Sequence, residues 1–122
     1  MSIALPTNDK NPPTTLLDSD IIDSIVDFAI VATNQVGLIT RWNDGAVRIF
    51  GWTTQEMLGQ PAAQFFTPED NAIDRPATEM EQALLYGRSI DERWHIRKNG
   101  ERFWASGELM PLKDRSGQHI GY

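Results

Sequence analysis

The stretch from Ile90 to Lys113 constrains this chain more than any other. Ile90–Lys98 and Arg102–Lys113 are both long enough to be strands, and Asn99-Gly100 stands between them. A tight two-residue hairpin turn needs positive φ at both of its central positions, which Asn-Gly tolerates best. Two long strands so joined are antiparallel, and an antiparallel pair needs further elements to cover its apolar side.

The rest of the chain supplies them. Met1–Thr15 holds three prolines among small polar residues and reads as a linker or arm. Residues 16–28 read as a flanking amphipathic helix, because Leu17, Ile21, Ile25 and Phe28 recur at helical spacing with Asp20, Asp23, Ser24 and Asp27 between them. Ala29–Thr33 and Leu38–Trp42 flank the turn signal Asn34-Gln35-Val36-Gly37 and form a first hairpin. Asn43 caps a helix over Asp44–Phe50 that Gly51 ends. Thr53 and Glu56 have capping-box spacing. Pro68–Tyr86 reads as a longer helix with Pro76 inside it and Ile73, Ala77, Met80 and Leu84 on one face. His119–Tyr122 opens one more strand after the turn Asp114–Gln118. The order is strand-strand, short helices, then three strands: an α+β domain over 29–122 whose last strand is cut short.

A formal charge of −6 disfavours contact with phosphate backbones, so no nucleic-acid partner is expected. With no cysteine, the fragment has no disulfide, no thiolate metal site and no cysteine nucleophile. No apolar run has the length of a membrane span, and the start does not read as a signal peptide. A cytoplasmic fragment without membrane contact is the expectation. No Gly-rich phosphate loop and no HExxH motif is present, so the fragment does not read as an enzyme.

Several short stretches, in this order and spacing, carry a resemblance. They are Gly37-x-Ile39-x-x-Trp42-Asn43, Ala46-x-x-Ile49-Phe50-Gly51-Trp52, Glu56-Met57-Leu58-Gly59, Phe66-Thr67-Pro68-Glu69-Asp70 and Arg97–Trp104. Together they resemble the PAS family, and within it the sensor domains of bacterial histidine kinases. Asn34 departs from the family's more frequent aspartate but keeps the turn chemistry. The resemblance implies a five-stranded antiparallel sheet with short helices on one face and a hollow between them. It also implies a homodimer that signals to a downstream effector domain in the same chain.

The hollow holds a flavin, a haem, a small acid or nothing in different relatives. The flavin–cysteine adduct is excluded here, because Ala62 stands where those relatives carry the cysteine. Haem is disfavoured, because no histidine lies between Thr67 and Tyr86, the usual source of the iron ligand. The cofactor stays unknown, and no metal is implied. Strand side chains alternate faces. Matched to the family, Ala105, Gly107 and Leu109 face the hollow, with His95 from the neighbouring strand and Phe65, Phe66, Met80 and Leu84 opposite. That set lines either a small-molecule pocket or a solid core. The same alternation sends Trp94, Ile96, Trp104, Ser106 and Glu108 to the outer face. The apolar members of that stripe need a cover. The flanking helix (Leu17, Ile21, Ile25) and a second subunit are the two candidates. Glu56 and Lys98 match a charge pair seen in some relatives. Two functions stay open: a sensory input domain, and a ligand-free dimerisation or docking module.

Overall fold

The computed structural model describes residues 18–122. Leu17 and the arm 1–15 lie outside them. Six strands and five α-helices are present among the described residues: α1 (Asp18–Ser24), β1 (Val31–Thr33), β2 (Ile39–Trp42), α2 (Asp44–Phe50), α3 (Thr54–Met57), α4 (Pro68–Ala72), α5 (Arg75–Tyr86), β3 (Ser89–Ile96), β4 (Arg102–Leu109), β5 (Leu112–Lys113) and β6 (His119–Gly121). A single 3-10 turn covers Ala62–Phe65.

The helices begin where the side chains supply acceptors. Asn43 accepts from the Ala46 amide, Thr53 and Glu56 form a full capping box, and Thr67 accepts from the Asp70 amide ahead of Pro68. The expected helix from Pro68 to Tyr86 is two helices. Asp74 takes a left-handed φ of 54° between them, and Pro76 falls in the first turn of α5, where its missing N–H costs nothing. The expected apolar face also differs: Glu79 and Ala83 are the buried residues of α5, Leu84 is 51% exposed, and Ile73, which ends α4, is 67% exposed. A charged group on β3 faces α5, and the helix turns its carboxylate towards it.

The flanking helix is shorter than 16–28. It ends at Ser24, whose hydroxyl bonds back to the carbonyls of Asp20 and Ile21. The chain beyond is held by Asn43, whose amide donates to the carbonyls of Ile22, Ile25 and Phe28. Gly45 makes this approach possible, since a Cβ there would lie 2.0 Å from the Phe28 carbonyl oxygen. The segment thus docks on α2 and leaves Trp94 and Trp104 half exposed.

Strands β3 and β4 pair in full antiparallel register, Ser89 opposite Leu109 and Ile96 opposite Arg102. The expected strand from Arg102 to Lys113 breaks at Met110-Pro111, where proline cannot donate to a ladder. The five-stranded sheet expected from the resemblance is therefore not continuous. The hydrogen-bonded ladders are three pairs, β1–β2, β3–β4 and β5–β6. The short β6 reaches β1 through one exchanged pair of backbone bonds between Thr33 and Tyr122, 2.8 and 3.1 Å. Three strand residues suffice for that exchange but not for a ladder.

The core lies between β2, α2, α3 and the 3-10 turn. Ile39, Trp42, Ala46, Phe50, Met57 and Phe65 are buried together, with Trp52 and Phe66. The Trp42 indole donates to the Trp52 carbonyl at 3.0 Å, which satisfies its polar atom inside the core.

Candidate functional site

Between this core, α5 and the inner face of β3–β4 lies a cavity of about 640 Å³, within the range of small-molecule sites, roughly 300–1,000 Å³. The register of β3 and β4 decides what faces it. His95 pairs with Phe103, Arg93 with Ala105 and Asp91 with Gly107, so one parity carries all of these inward. Phe65, Phe66, Met80, His95, Ala105, Gly107 and Leu109 line the cavity. Leu84 does not; it stands exposed on α5. Small side chains at 105 and 107 leave room that a larger residue would fill. Of the outer stripe, Trp94 and Trp104 meet edge to face with ring centroids 5.5 Å apart, whereas Ile96 turns against the core cluster. Ile21 and Ile25 are half-buried on the α2 side. Lys98 and Glu56 pair at 2.7 Å on the surface. The hydrogen bond from Lys98, with the one from the Thr53 amide, lowers the Glu56 pKa.

A buried charge group sits at one wall of the cavity. His95 is fully enclosed. Its Nδ1 is 3.1 Å from the Phe65 carbonyl oxygen, which only accepts, so Nδ1 carries a proton. Its Nε2 lies 2.5 Å from Asp91 Oδ2, and one proton is held between ring and carboxyl. Both ring nitrogens are thereby engaged, and neither offers a lone pair to a metal. Arg93 Nη1 meets Asp70 Oδ2 at 2.9 Å. Arg75 Nε donates to Glu79 Oε2 at 3.1 Å, while Arg93 Nε stands 3.1 Å from Glu79 Oε2 and 3.3 Å from Asp91 Oδ1 as a charge pair without hydrogen-bond alignment to either.

Two carboxyls in this group divide their roles. Burial pushes Glu79 up to about 8, Asp91 beside it adds to the shift, and Arg75 opposes it. Glu79 thus holds its proton to higher pH than an ordinary carboxyl, while its Oε2 accepts from Arg75 Nε. Burial also pushes Asp91 up, but the bond and charge of His95, with Glu79 and Arg93, outweigh it and leave its pKa lowered. Asp91 is the acceptor of the group. Sequence reasoning placed His95 inward but passed over Asp91, Arg93 and Glu79. The signal was present: Asp91 and Arg93 share the parity of His95, and Arg75 and Glu79 are one helical turn apart. Among the described residues no group of three or more His, Cys, Asp or Glu side chains is arranged to hold a metal ion.

Known proteins share this fold. The profile described as PAS domain matches residues 26–122. The chain belongs to the PAS domain family. A curated relative, Two-component system protein A of Emericella nidulans, is 33% identical over 102 residues, covering 84% of this chain but 15% of the relative. This chain therefore spans a small part of that protein's length. Among solved structures, the PAS domain of a protein from Colwellia psychrerythraea superposes with a TM-score of 0.75 at 24% identity, over 84% of this chain and 86% of the other. The PAS domain of a LuxR-family transcriptional regulator from Burkholderia thailandensis, in complex with ethanol, gives 0.68 at 18% identity, over 86% and 92%. At these identities the structural likeness speaks for the fold alone. No helix among the described residues is long and apolar enough to cross a membrane.

Proposed function

We propose that this domain is the sensory input module of a two-component signalling protein, a histidine kinase in the reading we favour, and that its signal is a small molecule bound in the cavity. The carrying observation is the cavity of about 640 Å³ with a few converging polar groups in an apolar wall. The relative named as a two-component system protein supports the signalling context. Occupancy would bias the β3–β4 hairpin between two arrangements, and a downstream effector domain in the same cytoplasmic chain would read the difference. The domain itself carries out no catalysis in this reading. Haem ligation is disfavoured because His95 is engaged at both nitrogens, and a flavin adduct has no thiol to form on.

A second reading, a ligand-free dimerisation module, is favoured by one observation. Trp94 and Trp104 leave 49% and 58% of their surface exposed on the outer face. The two readings are compatible in one protein, and mass spectrometry under non-denaturing conditions separates them. The sensory reading expects a bound mass of a few hundred daltons or less on part of the purified protein, lost on denaturation. A bare mass that no small-molecule addition changes would leave only the dimerisation module.

A further inference from the structure

The buried charges at the cavity wall are answered within the protein. Asp91 Oδ2 lies against His95 Nε2, and its Oδ1, closed off from solvent, faces Arg93 Nε at 3.3 Å. Glu79 faces Arg75 and Arg93. His95 is engaged at both ring nitrogens. Arg75 and Arg93 hold these carboxyls from behind, and among the described residues that line the cavity none is lysine or arginine. The other wall carboxylates belong to the rim. Asp27 pairs with Arg48 and Glu108 with Arg88, all four in contact with water, and Asp74 is exposed where α4 meets α5. A cation entering the interior finds no open carboxylate, and an anion finds no cation. Either would shed its water and gain no partner, the most costly form of burial. The rest of the wall is apolar and incompletely covered. Val31, Ile49, Met80, Phe103 and Leu109 line the space and are each only partly buried. An apolar guest removes that surface from water, and the gain grows with the area covered.

From this geometry we infer that the cavity takes an uncharged, flat aromatic molecule, and that its closed charge network excludes acids and amines alike. The inference rests on the reading of the cavity as a ligand site and narrows it to one chemical class. The ring fills the space that Ala105 and Gly107 leave open on β4. The Met80 thioether adapts to its outline and favours contact with it. Phe66 and Phe103 offer edges and faces to a ring beside them. A charged relative of the same shape could gain a partner only by breaking the contact of His95 with Asp91 or of Arg93 with Glu79. Those contacts lie between α5 and β3 and within β3, so the relative would have to loosen the wall that receives it. Specificity comes as much from that exclusion as from the apolar attraction.

Three probes with one ring system and side chains of equal length test this: 3-propylindole, tryptamine and indole-3-acetate, titrated calorimetrically into the protein at neutral pH. 3-Propylindole is expected to bind at least about tenfold tighter than either charged probe. Ala105→Phe should abolish that binding by filling the cavity. On the unsubstituted protein, 3-propylindole should shift the methyl resonance of Met80, which places the probe even where the variant fails to fold. Tryptamine or indole-3-acetate binding as tightly as 3-propylindole, with the same shift at Met80, overturns the uncharged class and leaves the cavity as a ligand site. Binding of 3-propylindole that leaves Met80 unshifted, or that persists undiminished in a folded Ala105→Phe variant, also overturns it, since the probe would then sit on the apolar outer face. If no probe binds at all, the ligand-site reading falls together with the inference.

Discussion

Among the described residues, Asn43 makes more hydrogen bonds through its side chain than any other. Its Oδ1 accepts from the amides of Ile30 and Ala46 at 2.8 and 2.9 Å, and its Nδ2 donates to three carbonyls of the 22–28 segment. Truncation to alanine strands the Ile30 and Ala46 amides and takes the donor from the Phe28 carbonyl, while the Ile25 and Ile22 carbonyls keep the Gly45 and Ile25 amides at 2.9 and 3.3 Å. With about 1–3 kcal/mol for each buried group left unsatisfied, Asn43→Ala should lower the unfolding free energy by at least about 3 kcal/mol. Urea denaturation measures it, and a loss below about 1 kcal/mol would show that water replaces the side chain. Glu79 carries the second prediction at this scale. Its folded pKa of about 8 exceeds the ordinary 4.5, so between those values the folded state holds a proton that the unfolded chain has released. Stability must then fall as pH rises through that window, by at most about 1.4 kcal/mol per pH unit. Asp91, held low, works in the other direction and only at acid pH: its contribution is lost as pH falls below 3.8. Glu79→Gln should flatten the fall between pH 5 and 8, because a neutral amide replaces the titrating acid among Arg75, Arg93 and Asp91. An unchanged slope in the variant would place the titration elsewhere. Of these two residues, the sequence revealed the cap at Asn43 through its place ahead of an amphipathic run. The three carbonyl contacts were hidden, since they depend on a chain reversal at 25–30 that no local pattern encodes. Glu79 was hidden for a different reason: over Pro68–Tyr86 the periodicity of Ile73, Ala77, Met80 and Leu84 suggests one helix with an apolar face, whereas the chain breaks at Asp74 and α5 turns Glu79 towards the arginines and Asp91.

At the scale of elements, helix propensity and close approach compete at Gly45. It lies in the first turn of α2, where alanine is ordinarily better by about 0.5–1 kcal/mol. Here a Cβ would meet backbone, the Phe28 carbonyl oxygen at 2.0 Å and its carbon at 2.6 Å, and backbone cannot rotate away as a flexible side chain can. Gly45→Ala should therefore destabilise the domain. Its specific signature is faster hydrogen exchange of the Ile30 and Gly45 amides, which bond Asn43 and the Ile25 carbonyl. If Gly45→Ala stabilises the protein, the 22–28 segment docks less closely than described. The same scale shows what a hairpin signal is worth. The turn is not the two-residue one that Asn99-Gly100 suggests: Arg97 faces Glu101 across a three-residue loop in which Gly100 alone has positive φ, and that extra residue shifts the β3–β4 register by one and so puts Ala105 and Gly107, not Trp104, on the side of His95. The inward side of the site was therefore legible from alternation and the family likeness, whereas the turn read by itself would have turned β4 over. The continuity of the sheet was not. It depends on whether the short β6 and the Pro111 break allow pairing between ladders, which is decided in three dimensions.

For the molecule as a whole, the outer face of β3–β4 poses the open structural question. Ile90, Trp94 and Trp104 share that face and are each about half exposed, at 49%, 49% and 58%. The flanking helix does not cover them, because Asn43 and Gly45 hold the segment after it against α2. Half of two tryptophan side chains is more apolar surface than scattered single residues present, and large aromatics are enriched where subunits meet. We therefore expect a homodimer through this face. Trp104→Glu places a charge at the centre of the patch, opposite Trp94, while touching none of the buried core. Burying that carboxylate unpaired in an interface costs far more than leaving it in water. The variant should keep its circular dichroism and its melting transition at low concentration yet move from dimer to monomer in sedimentation. Ile25→Glu provides the contrast. Ile25 is half-buried on the α2 side, so its charge should loosen the flanking segment and lower the melting temperature, leaving the dimer mass of the folded fraction intact if the interface is confined to the sheet. If Trp104→Glu stays dimeric and Ile25→Glu becomes monomeric while folded, the interface belongs to the flanking helix instead. The tryptophan pair would then be a surface for a partner other than a second copy of this chain.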